Sequence, residues 1–477
     1  MKKFLLLLLL LIPSMFAAAQ QFSQYNTGTL FDSFENPSQR SFIRDSSYNM
    51  ASNFLIPNFG GYAFLTGNAQ RSVQTRLFDE RYDNSQLRIG EGKLNHVIGN
   101  TGVYLLMFKW YAGMKGDKEM GISFKTKGEA NGTITDESIA LFNGSANFQN
   151  QAYDQILNSK GYYQTYHQIG FSYRERLNKR AAFGFKVNFL MGLQYQEILI
   201  NNSSIAFDKA ADRAELALDG LYYASENAGR FKANTFAPNF RNPGASVSIG
   251  GSYKNEGGYI WQGNVKDLGF IHWSGKSNTY RVLGSTTLTD LSRPWREDTV
   301  RNQLSNLLKS GYMSTGSFIT PTDGVAEVSV AKKYFFNYDR TFGLMPTLIV
   351  QKQLFYPGLT GALVNHLQYN NLTITATASY NDLRLFNFGG QFMYKSPNFE
   401  FYLGSERLLP TGRMVLQRFG NNSAYTGADV FLGFSLKFGR PIESPLNASY
   451  IPMGEEKGFF GRFFDKIFGK RKGGGEL

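Results

Sequence analysis

The sequence predicts an all-β fold, a transmembrane antiparallel outer-membrane β-barrel. It should have about 14 strands (about 12–16), long extracellular loops and a short C-terminal amphipathic helix. Three observations carry this prediction. The chain opens on an export signal, its apolar residues alternate with polar ones at period two, and aromatic residues recur where the alternating segments end.

The export signal is MKKFLLLLLLLIPSMFAAAQ. Lys2 and Lys3 form the basic start, Phe4 to Ile12 the apolar run, and Ala17-Ala18-Ala19 a small-residue cleavage site, so residues 1–19 are read as a cleaved signal peptide. The apolar run is too short to span a bilayer as a helix, and Pro13 interrupts it. The chain contains no cysteine, which excludes disulfides, thiolate metal sites and thiol nucleophiles together. Its formal charge of +13 includes the two lysines of the signal. An exported basic chain is expected to meet lipid headgroups and lipopolysaccharide phosphates, not nucleic acid.

The alternation is clearest in the last third. In 372-LTITATASY-380, Leu372, Ile374, Ala376, Ala378 and Tyr380 oppose Thr373, Thr375, Thr377 and Ser379. In 386-FNFGGQFMYK-395, Phe386, Phe388, Phe392 and Tyr394 oppose Asn387, Gln391 and Lys395. In 428-ADVFLGFSLKF-438, Val430, Leu432, Phe434, Leu436 and Phe438 oppose Asp429, Gly433, Ser435 and Lys437, and Phe431 breaks the pattern. Upstream, Phe183, Phe185, Val187 and Phe189 oppose Lys186 and Asn188. Alternation at 180° per residue separates two faces of a strand, whereas a helix would scatter these residues around its circumference. The segments run about 9–11 residues, the length of a tilted membrane-crossing strand. Tyr173, Tyr253, Tyr259, Tyr380, Tyr394 and Phe438 fall at segment ends, where girdles lie.

The barrel is placed at residues 48–438. It follows a turn-rich N-terminal segment, 20–47, and precedes a periplasmic tail, 439–477. Long polar intervals near 67–97, 127–162, 208–242 and 270–324 are read as loops. Two of them hold helix-like patches, 210-AADRAELALDGLYY-223 and 301-RNQLSNLLKS-310. In the N-terminal segment, Asn36-Pro37 favours a turn, which leaves two readings open, an external connector or an inward plug. In the tail, Phe459, Phe460, Phe463, Phe464, Ile467 and Phe468 recur at helical spacing beside Arg462 and Lys466. Such a basic amphipathic helix is expected at the inner leaflet of the outer membrane, or against the barrel's own rim or mouth.

Catalytic chemistry finds little support. His96, His167, His272 and His366 lack metal-ligand spacing, so no metal is expected. Ser329 and Lys332 fit an S-x-x-K pattern, but in a strand they point to opposite faces. No cofactor, catalytic residue or metal site is assigned. The segment 259-YIWQGNVKDLGFIHW-273 is read as a strand with Tyr259, Trp261 and Val265 toward lipid. Asp267 should then mark its exit from the hydrocarbon layer, with His272 and Trp273 opening a loop, so that Asp267→Leu would be tolerated for insertion unless the aspartate caps a turn. The lumen is expected to be lined by Lys186, Asn188, Gln262, Asn264, Lys266, Thr373, Thr375, Thr377, Gln391 and Lys437.

Three pieces carry a family resemblance: 33-SFENPSQRSFI-43, 265-VKDLGFIHW-273 and 398-NFEFYLGSERLL-409. With its alanine-ended signal and the Asn36-Pro37-Ser38 turn before the first strand, the chain resembles the long-chain fatty-acid transporter (FadL-like) superfamily. It resembles more closely an uncharacterised Bacteroidota outer-membrane family, a domain of unknown function related to that superfamily. The resemblance implies a barrel in the outer membrane of a Gram-negative cell. It transfers no ligand-binding residue, and the lack of a Gly-rich stretch before Asn36-Pro37 weighs against carrying over a fatty-acid hatch mechanism. It points to passive transport of a hydrophobic or amphipathic small molecule. The alternative is a structural, partner-binding component of an envelope or secretion assembly. Expected partners are outer-membrane lipids and lipopolysaccharide, the barrel-assembly machinery during biogenesis, and a hydrophobic ligand or an envelope protein.

Overall fold

A computed structural model describes residues 22–112, 118–226, 228–229, 237–416 and 424–443. The segment read as a signal peptide and the residues expected to form a tail helix, Phe459, Phe460, Phe463, Phe464, Ile467 and Phe468, lie outside the described residues. Among those described, no helix is long and apolar enough to cross a membrane.

Fourteen strands close into one antiparallel barrel. They are β1 (Tyr48–Ser52 continued by Asn58–Thr66), β2 (Leu94–Ala112), β3 (Lys118–Thr135), β4 (Lys160–Arg176) and β5 (Ala181–Asp208). β6 (Pro243–Lys254), β7 (Tyr259–Trp273), β8 (Phe318–Pro321 continued by Val325–Lys332), β9 (Phe342–Gln353) and β10 (Leu359–Tyr369) follow. β11 (Leu372–Asn381), β12 (Phe386–Lys395), β13 (Phe399–Ser405) and β14 (Tyr425–Pro441) complete the ring. Closure is at Phe59, which pairs with Val103 of β2 on one side and Leu432 of β14 on the other. A closed ring leaves no unpaired edge, which is what lets a sheet exist in lipid.

The two faces invert the order of a soluble protein. Ile374, Phe386, Phe388, Phe392 and Val187 are exposed on the outer wall, whereas Thr373, Thr375, Thr377, Asn387, Lys186 and Asn188 are buried inside. Phe431, the exception in the alternation, does point inward, and it is fully buried against Tyr402 and the N-terminal segment. β14 runs three residues past its expected end, because Tyr48 at the foot of β1 pairs with Pro441.

Turns at the end where β1 begins and β14 finishes are short, such as 370–371 and 396–398, while long connections gather at the other end. There β5 continues beyond the ring and pairs with Arg213–Ala224, which pairs with Asn278–Thr289 and that in turn with Tyr312–Thr315. This outer sheet has its own core, with Leu216, Val282, Leu288, Phe148, Val300 and Leu307 buried together. The patch at 210–223 is therefore a strand and not a helix. Ala214, Leu216, Leu218, Tyr222 and Ala224 alternate toward that core, and period two outweighs their helix propensity. The patch at 301–310 belongs to a helix, Arg296–Ser310, which covers the same core.

Candidate functional site

Residues 22–42 lie inside the barrel with contacts around its inner wall, and 43–47 lead out along the rim, where Asp45 N donates to Ile442 O. Ser23 Oγ is 3.0 Å from Thr377 Oγ1 on β11, and Gln24 Nε2 donates to Gln391 on β12 at 2.5 Å. Leu30 N donates to Glu400 on β13, and Ser41 N donates to Glu119 on β3. His366 Nε2 on β10 is 2.8 Å from Tyr25 O, and Arg174 Nε on β4 donates to Ser38 O at 2.8 Å.

The centre of this segment is a short helix, α1 (Leu30–Glu35), capped at its start by Thr29 Oγ1, which accepts from Asp32 N. Its last carbonyls have no partner within the helix. Buried groups of the wall supply them: Lys109 Nζ donates to Ser33 O, Lys186 Nζ to Phe34 O at 3.1 Å, and Asn264 Nδ2 to Glu35 O at 3.0 Å. The apolar side of α1, Leu30, Phe31 and Phe34, packs on Tyr104, Met107, Tyr402 and Phe431. Asn36 Oδ1 then accepts from Ser38 N and Ser38 Oγ, forming the turn expected at Asn36-Pro37. Two glycines make room for it. A Cβ on Gly184 would stand 2.0 Å from Pro37 O, and one on Gly250 2.5 Å from Asn36 Oδ1.

Beyond α1 the lumen is bridged by charge. Asp267 is buried inside, not at a strand exit. A β-bulge places Lys266 and Asp267 together opposite the single residue Ser248, since Val265 pairs with Ile249 and Leu268 with Val247. The extra residue takes a left-handed conformation, φ 48°, and turns its carboxylate inward. There it accepts from Gln168 Nε2 at 3.0 Å and lies 3.5 Å from Lys127 and 3.8 Å from Lys186. Its own N–H donates to Ser248 Oγ at 2.9 Å. The strand does not end here. It continues to Trp273, which is buried and donates from Nε1 to Thr320 Oγ1, so that residue is inside rather than in a loop. Opposite, β8 is interrupted at 322–324, and Asp323 accepts from Asn100 Nδ2 on the facing strand β2 at 2.8 Å.

The plug carboxylates differ in environment. Burial pushes Asp32 up to about 7, against the opposing pull of Gly28 N–H and Lys395. Burial also acts to raise Glu35, but Lys125, Lys266 and Lys186 outweigh it and hold that carboxyl well below the usual range.

The remaining residues singled out from the sequence fall as follows. Asn188 donates to Ser246 Oγ at 3.0 Å, Gln262 to Asn26 Oδ1 at 2.5 Å, and Lys266 pairs with Glu327 at 2.6 Å. Thr375 Oγ1 is 2.8 Å from His366 Nδ1, Lys437 pairs with Glu400 at 2.9 Å, and Thr373 is buried. Sequence reasoning missed Glu35, Lys125, Lys127, Glu129, Asp267, Asp323 and Glu327. Lys125, Lys127 and Glu129 recur two apart in 125-KTKGE-129, a period-two signal inside β3. Asp267 left no such signal, because the bulge shifts the register there. On the outer wall beside the bulge, Gly251 and Gly263 leave a furrow of about 640 Å³ lined by Val247, Ile249, Val265 and Val328.

A closed ring with an apolar exterior and a plugged, charged interior defines a 14-stranded β-barrel of the outer-membrane type. The chain belongs to a family of unknown function (DUF5723), whose family model matches residues 49–406. No curated protein sequence matches it. Among solved structures it is similar to the Ralstonia pickettii toluene transporter TbuX, at 9% identity and TM-score 0.40, covering 85% of this chain and 93% of that one. It is similar also to the P. putida toluene transporter TodX, at 9% identity and TM-score 0.42, covering 85% and 93%. A Pseudomonas aeruginosa FadL homologue matches at 10% identity and TM-score 0.40, covering 89% and 98%.

Proposed function

We propose that this chain is a passive conduit in the outer membrane for a hydrophobic or amphipathic small molecule, gated by residues 22–47. The observation that carries the reading is the docking of α1. One side of it is apolar and packs on Tyr104, Met107, Tyr402 and Phe431, while its polar end is held by lysines and amides of the wall. Residues 22–42 are held by side-chain contacts and packing and not by the strand ladder, so their release leaves the hydrogen bonds that close the ring intact, which suits a gate. The exposed apolar wall supports a membrane location, because leucine, isoleucine and phenylalanine in that number face lipid more favourably than water.

The test is conductance and solute flux across planar bilayers or vesicles holding the full chain. Deleting residues 22–47 should raise both while the barrel still folds. Flux equal to that of an empty membrane for the deletion variant would remove the conduit reading. A second reading, partner binding in an envelope assembly, draws on the separately cored outer sheet. Crosslinking at that sheet in whole envelopes tests it, and recovery of no stable partner counts against it.

A further inference from the structure

We propose that the hairpin end joining β8 to β9, residues 332–342, binds the headgroup of an anionic glycerophospholipid of the inner leaflet. The inference rests on the membrane location of the barrel and is independent of whether the lumen conducts. The hairpin end lies where the short connections gather, which in a barrel of this type faces the periplasm. There Tyr259 of β7 pairs with Lys332 of β8, and Phe342 of β9 with Tyr369 of β10. Its sequence, 332-KKYFFNYDRTF-342, sets three cations against the one acid Asp339.

These cations rest on aromatic rings and not on carboxylates. Lys332 Nζ stands 4.5 Å from the ring centre of Tyr259 and 5.4 Å from that of Tyr334. Lys333 Nζ and Arg340 Cζ share the ring of Phe335, at 5.0 and 5.7 Å. Lys333 Nζ also donates to Gln368 Oε1 at 2.6 Å. Among the described residues, none of the three has a carboxylate within 4.0 Å. A ring face orients a cation but supplies no net charge, so each keeps the capacity to meet an anion. Turn geometry does not account for Arg340. Its backbone is left-handed, φ 55°, a conformation that glycine or asparagine holds with less strain. The bend itself is braced by Asn337, whose Nδ2 donates to Thr341 Oγ1 at 2.6 Å and whose Oδ1 accepts from Phe342 N at 3.0 Å.

Location selects the anion. Val328, Leu348 and Leu367 are exposed on the apolar outer wall, and Tyr259, Tyr334 and Phe336 are exposed at its foot, where girdle rings meet headgroups. Acyl chains lying along that wall bring a phosphate to the level of these rings. A soluble acidic protein would meet Lys333 and Arg340, but Lys332 lies between two girdle tyrosines and faces the bilayer. The chain's own tail, 458-GFFGRFFDKIFGKRK-472, carries the same sign of charge as the hairpin end and is repelled by it.

The experiment uses the full chain in uncharged detergent, offered dioleoyl phosphatidylglycerol and dioleoyl phosphatidylcholine together, with glycerol 3-phosphate as the soluble control. Retained lipid is read by native mass spectrometry. Phosphatidylglycerol is expected to be retained in preference, and glycerol 3-phosphate not to displace it. Replacing all three cations (Lys332→Gln, Lys333→Gln, Arg340→Gln) should lower that preference about a hundredfold. Replacing three exposed cations of the opposite end (Lys276→Gln, Arg293→Gln, Lys309→Gln) should leave it unchanged. Arg340→Gly suits the left-handed backbone and should still cost about fivefold, which keeps the test valid if the triple variant does not fold. Equal retention of the two lipids by the unmodified chain, or a preference that survives in the hairpin variants, overturns the proposal. Loss of the preference in the opposite-end variant does the same, as does displacement by glycerol 3-phosphate, which would mark a site for soluble phosphate. A benzophenone side chain at Tyr338, which is fully exposed, is expected to crosslink lipid in whole envelopes. A protein adduct in place of lipid overturns the proposal in favour of a docking partner. Lumen flux decides the conduit reading separately, since none of these cations lies on the route through the ring.

Discussion

At the scale of single residues, Asp267 decides the interior. Its left-handed backbone turns its carboxylate inward, where Lys186 has it as its carboxylate partner while Lys127 also has Glu129 at 3.3 Å. Asp267→Leu is expected to destabilise the barrel by about 3–5 kcal/mol, because it removes the carboxylate beside the buried Lys186 and places a branched chain at positive φ. Asp267→Asn, which tolerates that backbone and keeps the hydrogen bonds, should cost less. Urea unfolding in detergent, followed by the heat-dependent gel mobility of the folded barrel, measures both. Gly184 makes the same point by what it lacks. Gly184→Ala sets a Cβ against Pro37 O and should loosen residues 22–47, seen as faster proteolysis there and higher conductance. Gly263→Ala, whose Cβ meets no atom within 4 Å, should change neither.

At the scale of elements, strands and loops differ in how much of themselves they declare. β11 and β12 are plain in the sequence because each face meets one environment along its whole length. The strand Arg213–Ala224 is not, since Ala, Leu and Glu favour helix and only its neighbours in the outer sheet supply the second face. That sheet and the ring have separate cores, so damage to one should stay local. Leu307→Ala is expected to cost the outer unit about 2–5 kcal/mol. Hydrogen exchange should rise in 278–310 and 136–157, while the gel mobility of the barrel stays unchanged.

At the scale of the whole molecule, a closed ring, the segment 22–47 docked within it and a separately cored outer sheet are distinct units. Removing residues 22–47 should therefore open the ring without unfolding it. The backbone hydrogen bonds that close the barrel run strand to strand, from β1 round to β14, and none of them needs the plug. Unfolding midpoints of the deletion variant within a few degrees of the full chain, together with raised conductance, are the expected pair of results. The sequence by itself determined the class of fold, the two faces of the regular strands and the inward place of residues such as Lys186, Asn188 and Thr375. Period two is a local property, and each residue reports its own solvent. It did not determine the placement of Asp267, the seat of Asn36-Pro37 in the notches at Gly184 and Gly250, or the pairing of Glu35 with Lys125. Those depend on which strands face one another across a closed ring, and on a one-residue bulge that shifts the register. Such contacts join positions about 90 to 230 residues apart, a separation at which no local pattern carries information.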